Sequence, residues 1–208
     1  MAVVLYHHPL SRANTVVWFL EEAGVPYELR FVDLRAGAQK APELRALNPM
    51  GKIPVLVDGE AVVTEVAAIG LYLADRYAPG RLAPAVDDPA RAAYLRWSLF
   101  APSVLEPGAL VKAAGWAYTA SQAGWGEHDA MIAATRSAIG DGPWLLGDRF
   151  TMADAIFGGT VRYLLHTGML APEPAFTAYA ERLGARPALH AADAKNAAVM
   201  AAHGLQPR

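Results

Sequence analysis

The 208 residues carry 18 basic and 20 acidic side chains, a net charge of −2, so a general electrostatic grip on nucleic acid or an anionic membrane is not expected. With 54% apolar and 18% charged residues the chain is expected to fold rather than stay disordered, and its length suits one or two compact domains. It holds no cysteine, which excludes disulfides, cysteine metal sites, Fe–S clusters and any mechanism using a thiol of its own.

Val3-Val4-Leu5-Tyr6 is a β-branched and aromatic run that predicts a strand, followed by the turn-like His7-His8-Pro9-Leu10-Ser11. From Asn14 to Ala23 apolar residues recur at helical spacing through Val16, Val17, Leu20 and Ala23, and Gly24 with Pro26 ends the helix. Tyr27 to Val32 predicts a second strand, so strand–helix–strand implies a parallel pair. Pro42 to Leu47 allows a short helix. After the turn Asn48-Pro49-Met50-Gly51, Ile53 to Val57 predicts a third strand, and Asp58-Gly59 predicts a hairpin into a fourth at Ala61-Val62-Val63. Val66 to Tyr77 completes the pattern as a helix.

That βαβ–ββα order predicts a mixed four-stranded sheet with helices on both faces over residues 1–78, and residues 79–89 read as a linker. Residues 90–208 predict an all-helical domain, with segments near Ala90–Ala114, Glu127–Ile139, Met152–His166, Ala175–Ala185 and Pro187–His203. Pro102 and Pro107 are expected to kink or split the first of these. Thr151-Met152-Ala153-Asp154 has the spacing of a helix capping box, with Phe150 able to staple the first turn, and its expected role is folding. Met1 to His8 has no basic region followed by a long apolar run, and the apolar helical stretches break well short of about 18–20 residues. A cytoplasmic, membrane-free protein is the expectation.

Four segments together resemble the cytosolic glutathione S-transferase family, of the bacterial type with a serine-like active loop. Leu5 to Arg12 with Glu21 to Glu28 is similar to that family's first strand and helix, and Asn48-Pro49-Met50-Gly51-Lys52-Ile53-Pro54-Val55-Leu56 to its third-strand motif. Thr64-Glu65-Val66-Ala67-Ala68-Ile69 with Tyr72, Leu73 and Tyr77 resembles the following helix, and Gly147 to Asp154 the C-terminal capping signature. The resemblance implies a thioredoxin-like N-terminal domain, an all-α C-terminal domain, and glutathione as co-substrate without a metal. It implies a transferase of the detoxification type, which activates the glutathione thiol as thiolate for attack on a hydrophobic electrophile. A homodimer is implied too, pairing through the fourth strand, third helix and first helix of the α domain.

For catalysis the resemblance points to Ser11, whose hydroxyl would donate to the glutathione sulfur; Tyr6 and Arg12 are rivals for that position. A free cysteine thiol titrates near ~8.5, and lowering it to about 6.5 takes roughly 2.7 kcal/mol. One hydrogen bond to a charged acceptor supplies about 1.5–3 kcal/mol, so a single hydroxyl suffices in magnitude. Ser11 reads equally as a helix cap, accepting from backbone N–H groups further on. Tyr6 reads first as a strand aromatic packing against the sheet. His7 and His8 lack metal-ligand spacing and are expected to be loop residues.

For binding, the resemblance implies a cis Ile53–Pro54 bond, with the Ile53 backbone pairing with the cysteinyl unit of glutathione. Lys52 fits the glycyl carboxylate, and Glu65 with the Val66 N–H fits the γ-glutamyl end at a helix start. Val66 departs from the family serine and loses a hydroxyl contact worth about 10- to 150-fold in affinity. The hydrophobic substrate is implied between Pro9–Leu10 and the helical domain, at Trp97, Phe100, Ala101 and Val104 with Trp116 farther along; those aromatics read equally as core. Two alternatives stand beside the transferase. One is glutathione-dependent reduction, isomerisation or dehalogenation by the same thiolate; the other is a non-catalytic dimeric binding module of the same fold.

Overall fold

The computed structural model describes residues 3–206, in two compact units. The first runs to Ala78 and takes in the chain again from Arg186; the second runs from Pro79 to Ala185.

In the first unit, β1 (Val3–His7), α1 (Ala13–Ala23) and β2 (Tyr27–Phe31) form a βαβ crossover with β1 and β2 parallel, Val3 opposite Tyr27. A 3-10 turn at Ala38–Lys40 and α2 (Pro42–Leu47) lead to β3 (Val55–Asp58), which runs antiparallel to β1. Asp58-Gly59, with Gly59 at φ 61°, turns the chain into β4 (Ala61–Thr64) and then α3 (Val66–Tyr77), giving the strand order β2-β1-β3-β4. β3 begins at Val55, two residues later than the sequence pattern predicts, because Pro54 has no N–H to give the ladder. Gly24 ends α1 in the left-handed region, its N–H on the Leu20 and Glu21 carbonyls and the Val25 N–H on Leu20.

α1 is buried on more than one face. Val16, Val17, Trp18, Phe19 and Leu20 are consecutive and each at most 2% exposed. A helix apolar all round must be covered on both sides. α3 covers one side, and α9 (Pro187–Ala202) covers another. Here the structure differs from the domain limits read in the sequence, which gave the whole of 90–208 to the helical domain. The physical reason is a set of ionic, polar and stacking contacts from the C-terminal segment onto α1 and β2. Arg186 grips Glu22 with two nitrogens at 2.5 and 2.7 Å, Lys195 reaches Glu21 at 2.5 Å, and the His203 ring stacks on Phe31 at 3.6 Å. Residues 1–2 and 207–208 at the ends of the predicted domains lie outside the described residues.

The second unit centres on α7 (Met152–His166), whose residues 152–161 are all buried together with the N-cap Thr151. Around it pack α4 (Arg91–Phe100), α5 (Glu106–Ala113) and α8 (Pro174–Gly184), while α6 (His128–Ile139) packs on α5 and α8. Gly158 lets α8 approach α7: a Cβ there would lie 2.2 Å from Leu183 Cδ1. Between α4 and α5 the chain takes a π-helical turn at Ala101–Leu105, so the prolines do split the long predicted helix. Pro102 cannot donate to the turn before it, and the wider turn accommodates that loss. The predicted linker packs into this unit rather than spacing it. Leu82 and Ala83 are buried, the Leu82 carbonyl accepts the Met152 N–H at 2.8 Å, and Arg149 donates to the Gly80 carbonyl at 2.7 Å.

Candidate functional site

The sheet register brings three separate sequence motifs to one end of the first unit. Tyr6 near the end of β1 lies opposite Val55 at the start of β3, and Val55 lies opposite Thr64 at the end of β4. The loop after β1, the Ile53–Pro54 bond before β3 and the Glu65–Val66 step after β4 therefore share an edge. Two strand spacings from β1 to β4 amount to about 10 Å, the length of an extended tripeptide.

At the β1 corner, Ser11 is half-buried and its hydroxyl has two local partners. Oγ–H donates to the His8 carbonyl at 2.8 Å, and Oγ accepts the Ala13 N–H at 3.1 Å. The serine thus caps the first turn of α1 with Arg12 beside it at the N-cap position. Tyr6 lies on the opposite face of β1 from the buried His7, and its phenol oxygen accepts from Arg30 Nη1 at 3.0 Å. Pro9 is buried and Leu10 half-buried, with the Leu10 N–H donating to His8 Nδ1 at 3.1 Å. His7 and His8 are not solvated loop residues: they are 0% and 4% exposed. Burial holds the His7 imidazole down at about 4, opposed by its hydrogen bond to Asn196.

At the β3 corner the Ile53–Pro54 peptide is cis. The loop before it is held by Asn48, which is buried: its side-chain N–H donates to the Lys52 carbonyl at 2.9 Å and its Oδ1 accepts the Met50 N–H at 3.2 Å. Gly51, at φ 60°, lets the Ala38–Lys40 turn back onto this loop, since a Cβ there would lie 3.1 Å from the Gln39 carbonyl oxygen and 3.7 Å from Lys40 Cα. That contact sets the Gln39–Lys40 turn against the loop that carries Lys52, and Gln39 Oε1 is buried without a partner among the described residues. The sequence offers no local signal for this pairing, because the turn lies 12 residues upstream of Gly51 in a stretch without periodicity.

At the β4 corner, Glu65 has φ 65° and ψ 124°, the one non-glycine residue at positive φ among those described. Such a conformation costs about 1–3 kcal/mol and is kept where surroundings over-determine it. Here it places Glu65 at the N-cap of α3, exposed, with Val66 as the first helical residue. The first backbone N–H groups of a 12-residue helix face that corner.

In the second unit Trp97 and Phe100 pack edge-on to each other at 5.4 Å and both meet Phe157, while Ala101 is fully buried and Val104 half-buried. Trp116 is 63% exposed. The capping box is present: the Asp154 carboxylate accepts from the Thr151 N–H at 2.9 Å. It also accepts from the Leu145 N–H at 2.8 Å and the Tyr179 hydroxyl at 3.0 Å, partners that the local motif does not reveal. Among the described residues no cluster of three or more His, Asp or Glu is placed to hold a metal ion, and no helix is long and apolar enough to cross a membrane.

Comparison with known proteins agrees with this arrangement. Residues 1–75 match the family model described as glutathione S-transferase, N-terminal domain. A maize protein named glutathione S-transferase 3 is 48% identical over 75 residues, which cover 36% of this chain and 34% of the maize protein, so that match spans about a third of the relative's length. The solved structure of a glutathione transferase homologue from Sulfitobacter with bound glutathione is 26% identical, with a TM-score of 0.70 over 93% of this chain and 98% of that one. The structure of glutathione S-transferase III in its apo form is 32% identical, with a TM-score of 0.70 over 93% of this chain and 96% of that one. With the family model matched over residues 1–75 and a relative of 32% identity aligned over 96% of its length, the chain belongs to the cytosolic glutathione S-transferase family.

Proposed function

We propose that the protein is a glutathione transferase that binds glutathione along the sheet edge and presents its sulfur to a hydrophobic electrophile. The observation that carries this reading is the register Tyr6–Val55–Thr64, which aligns the serine loop, the Ile53 backbone and the α3 terminus over the length of one tripeptide. The γ-glutamyl carboxylate meets the N–H groups at Val66 and Glu65 takes the α-amino group. The Ile53 N–H and C=O pair with the cysteinyl unit as a short β-ladder. Lys52, with Lys40 and Gln39 beside it, receives the glycyl carboxylate.

Ser11 then faces the sulfur. To stabilise the thiolate its hydroxyl turns from the His8 carbonyl toward sulfur, while Oγ goes on accepting the Ala13 N–H. The thiol proton leaves to solvent, and the thiolate forms a C–S bond as the electrophile's leaving group departs with its electron pair. Leu10 is the first unit's apolar contact for that electrophile. We read the protein as a cytoplasmic homodimer, and Val62 on β4 and Leu95 and Leu99 on α4 are apolar and exposed. Sedimentation at micromolar concentration checks the dimer.

The test is calorimetric titration with glutathione from pH 6 to 9, wild type beside Ser11→Ala. Proton release near neutrality that disappears in the variant supports the reading. Binding that the variant leaves unchanged moves the sulfur to Tyr6, Arg12 or the helix terminus. No binding at millimolar glutathione overturns the enzyme and leaves a non-catalytic module, for which Val66 and the engaged Ser11 hydroxyl are the favouring observations.

A further inference from the structure

The loop that carries Ser11 is stabilised internally by its own hydrogen bonds, on the His8 carbonyl and on Ser11 Oγ. None of those bonds fixes where the loop stands relative to the sheet edge. That depends on its two ends, the last residue of β1 and the first turn of α1. Both ends meet one side chain from the far end of the chain. Asn196 of α9, 9% exposed, has its Oδ1 2.7 Å from His7 Nε2 and its Nδ2 3.3 Å from the Asn14 carbonyl oxygen.

The orientation of this amide follows from one of its two partners. The Asn14 carbonyl can only accept, so Nδ2 must face it, and Oδ1 must then face His7. His7 is thereby held with its proton on Nε2, in keeping with a ring that burial keeps neutral. Meanwhile α9 is anchored independently of Asn196 by the Arg186–Glu22 and Lys195–Glu21 pairs. The amide bridge is thus not what docks the helix.

We propose that Asn196 is a positioning residue for thiol activation: by bridging His7 and Asn14 it sets the spacing of the loop ends and so the placement of the Ser11 hydroxyl. The inference rests on the reading of Ser11 as the group that faces the sulfur. The test follows the apparent pKa of the bound glutathione thiol by thiolate absorbance across pH, with kcat and KM, in Asn196→Ala, Ser11→Ala, the double variant and Arg186→Gln.

Asn196→Ala is expected to raise the bound-thiol pKa by about half a unit to one unit, a loss of about three- to tenfold in thiolate at neutral pH, with a matching fall in kcat and KM for glutathione held within about twofold. The double variant then titrates no higher than Ser11→Ala, because the two act through one hydroxyl. Arg186→Gln lowers the melting temperature and leaves the thiol pKa at the wild-type value. The proposal is overturned if Asn196→Ala keeps the wild-type pKa while Ser11→Ala raises it, or if Arg186→Gln and Asn196→Ala behave alike, which marks a docking role only. If Ser11→Ala itself leaves the pKa unchanged, the reading of Ser11 fails and the inference falls with it. Should Asn196→Ala not fold, Asn196→Ser, too short to span both partners, is expected to give the same upward shift, and its absence overturns the proposal equally.

Discussion

Two helices of this molecule have a hydroxyl side chain bonded into their first turn, Thr151 at the N-cap of α7 and Ser11 one residue before the N-cap of α1, and the two turns differ in partners and exposure. At the start of α7, Thr151 is fully buried and its turn is closed by Asp154, whose carboxylate also draws in the Leu145 N–H and the Tyr179 hydroxyl. Just before α1, Ser11 is half-buried, has no acidic partner in its turn, and gives its proton to the His8 carbonyl. The difference lies in redundancy and exposure rather than in residue type. A cap whose partners tie α7 to α8 and to the turn at Leu145 is committed to folding; one held by two local bonds is not bound in that way.

The sharpest way to break that comparison is to remove the redundant partner. Asp154→Ala is expected to cost about 4 kcal/mol in urea unfolding, since several buried donors lose their acceptor together, with thiol chemistry unchanged in the folded fraction. A loss under about 1 kcal/mol would place Thr151 and Ser11 in the same class.

Next in size is an acid effect at His7, buried at the end of β1. The unfolded His7 imidazole takes a proton near 6.5 and the folded one only at about 4, so acid favours unfolding between these values. Stability should rise by about 3 kcal/mol from pH 4 to 6.5 and gain nothing further from this group above that. Denaturation of His7→Gln across the same range should lack that part of the slope.

Ser11→Ala should lower transferase kcat/KM by about a hundredfold while costing only about 1 kcal/mol of stability, the inverse of Asp154→Ala. The smallest effect is a gain. Val66→Ser restores a hydroxyl at the α3 terminus and should tighten glutathione about tenfold by calorimetry, with no change in the bound-thiol pKa.

Much of the fold was legible because its signals are local. The Asp58-Gly59 hairpin, the Gly24–Pro26 stop and the Thr151–Asp154 box each spend their information within a few residues, and the elements appear where those signals put them. Pro102 announced a break without its form, since whether a missing N–H yields a kink or a wider turn depends on neighbours. The unlocal parts were hidden. His7 and Asn196 are 189 positions apart, and nothing in either neighbourhood marks the other. The return of the last helix had one sign in retrospect: Val16 to Leu20 is apolar on every face, which a helix covered on one side would not need. At the candidate site, Ser11, Ile53, Pro54 and Glu65 stood out through motif resemblance. Gln39 and Lys40 did not, because a 3-10 turn folding back on a glycine leaves no periodic trace.

The attachment of α9 to α1 also orders events during synthesis. A chain leaving the ribosome presents its first 78 residues early, yet the side of α1 that carries Asn14, Glu21 and Glu22 lacks its C-terminal partners until residues from Arg186 onward emerge. The helical unit, continuous from Pro79 to Ala185, has all its parts in hand sooner. Domains usually mature from the N-terminus onward. In this protein the sheet unit starts first and finishes last, and nascent chains stalled before residue 186 should stay sensitive to protease around α1 while the helical unit already resists it.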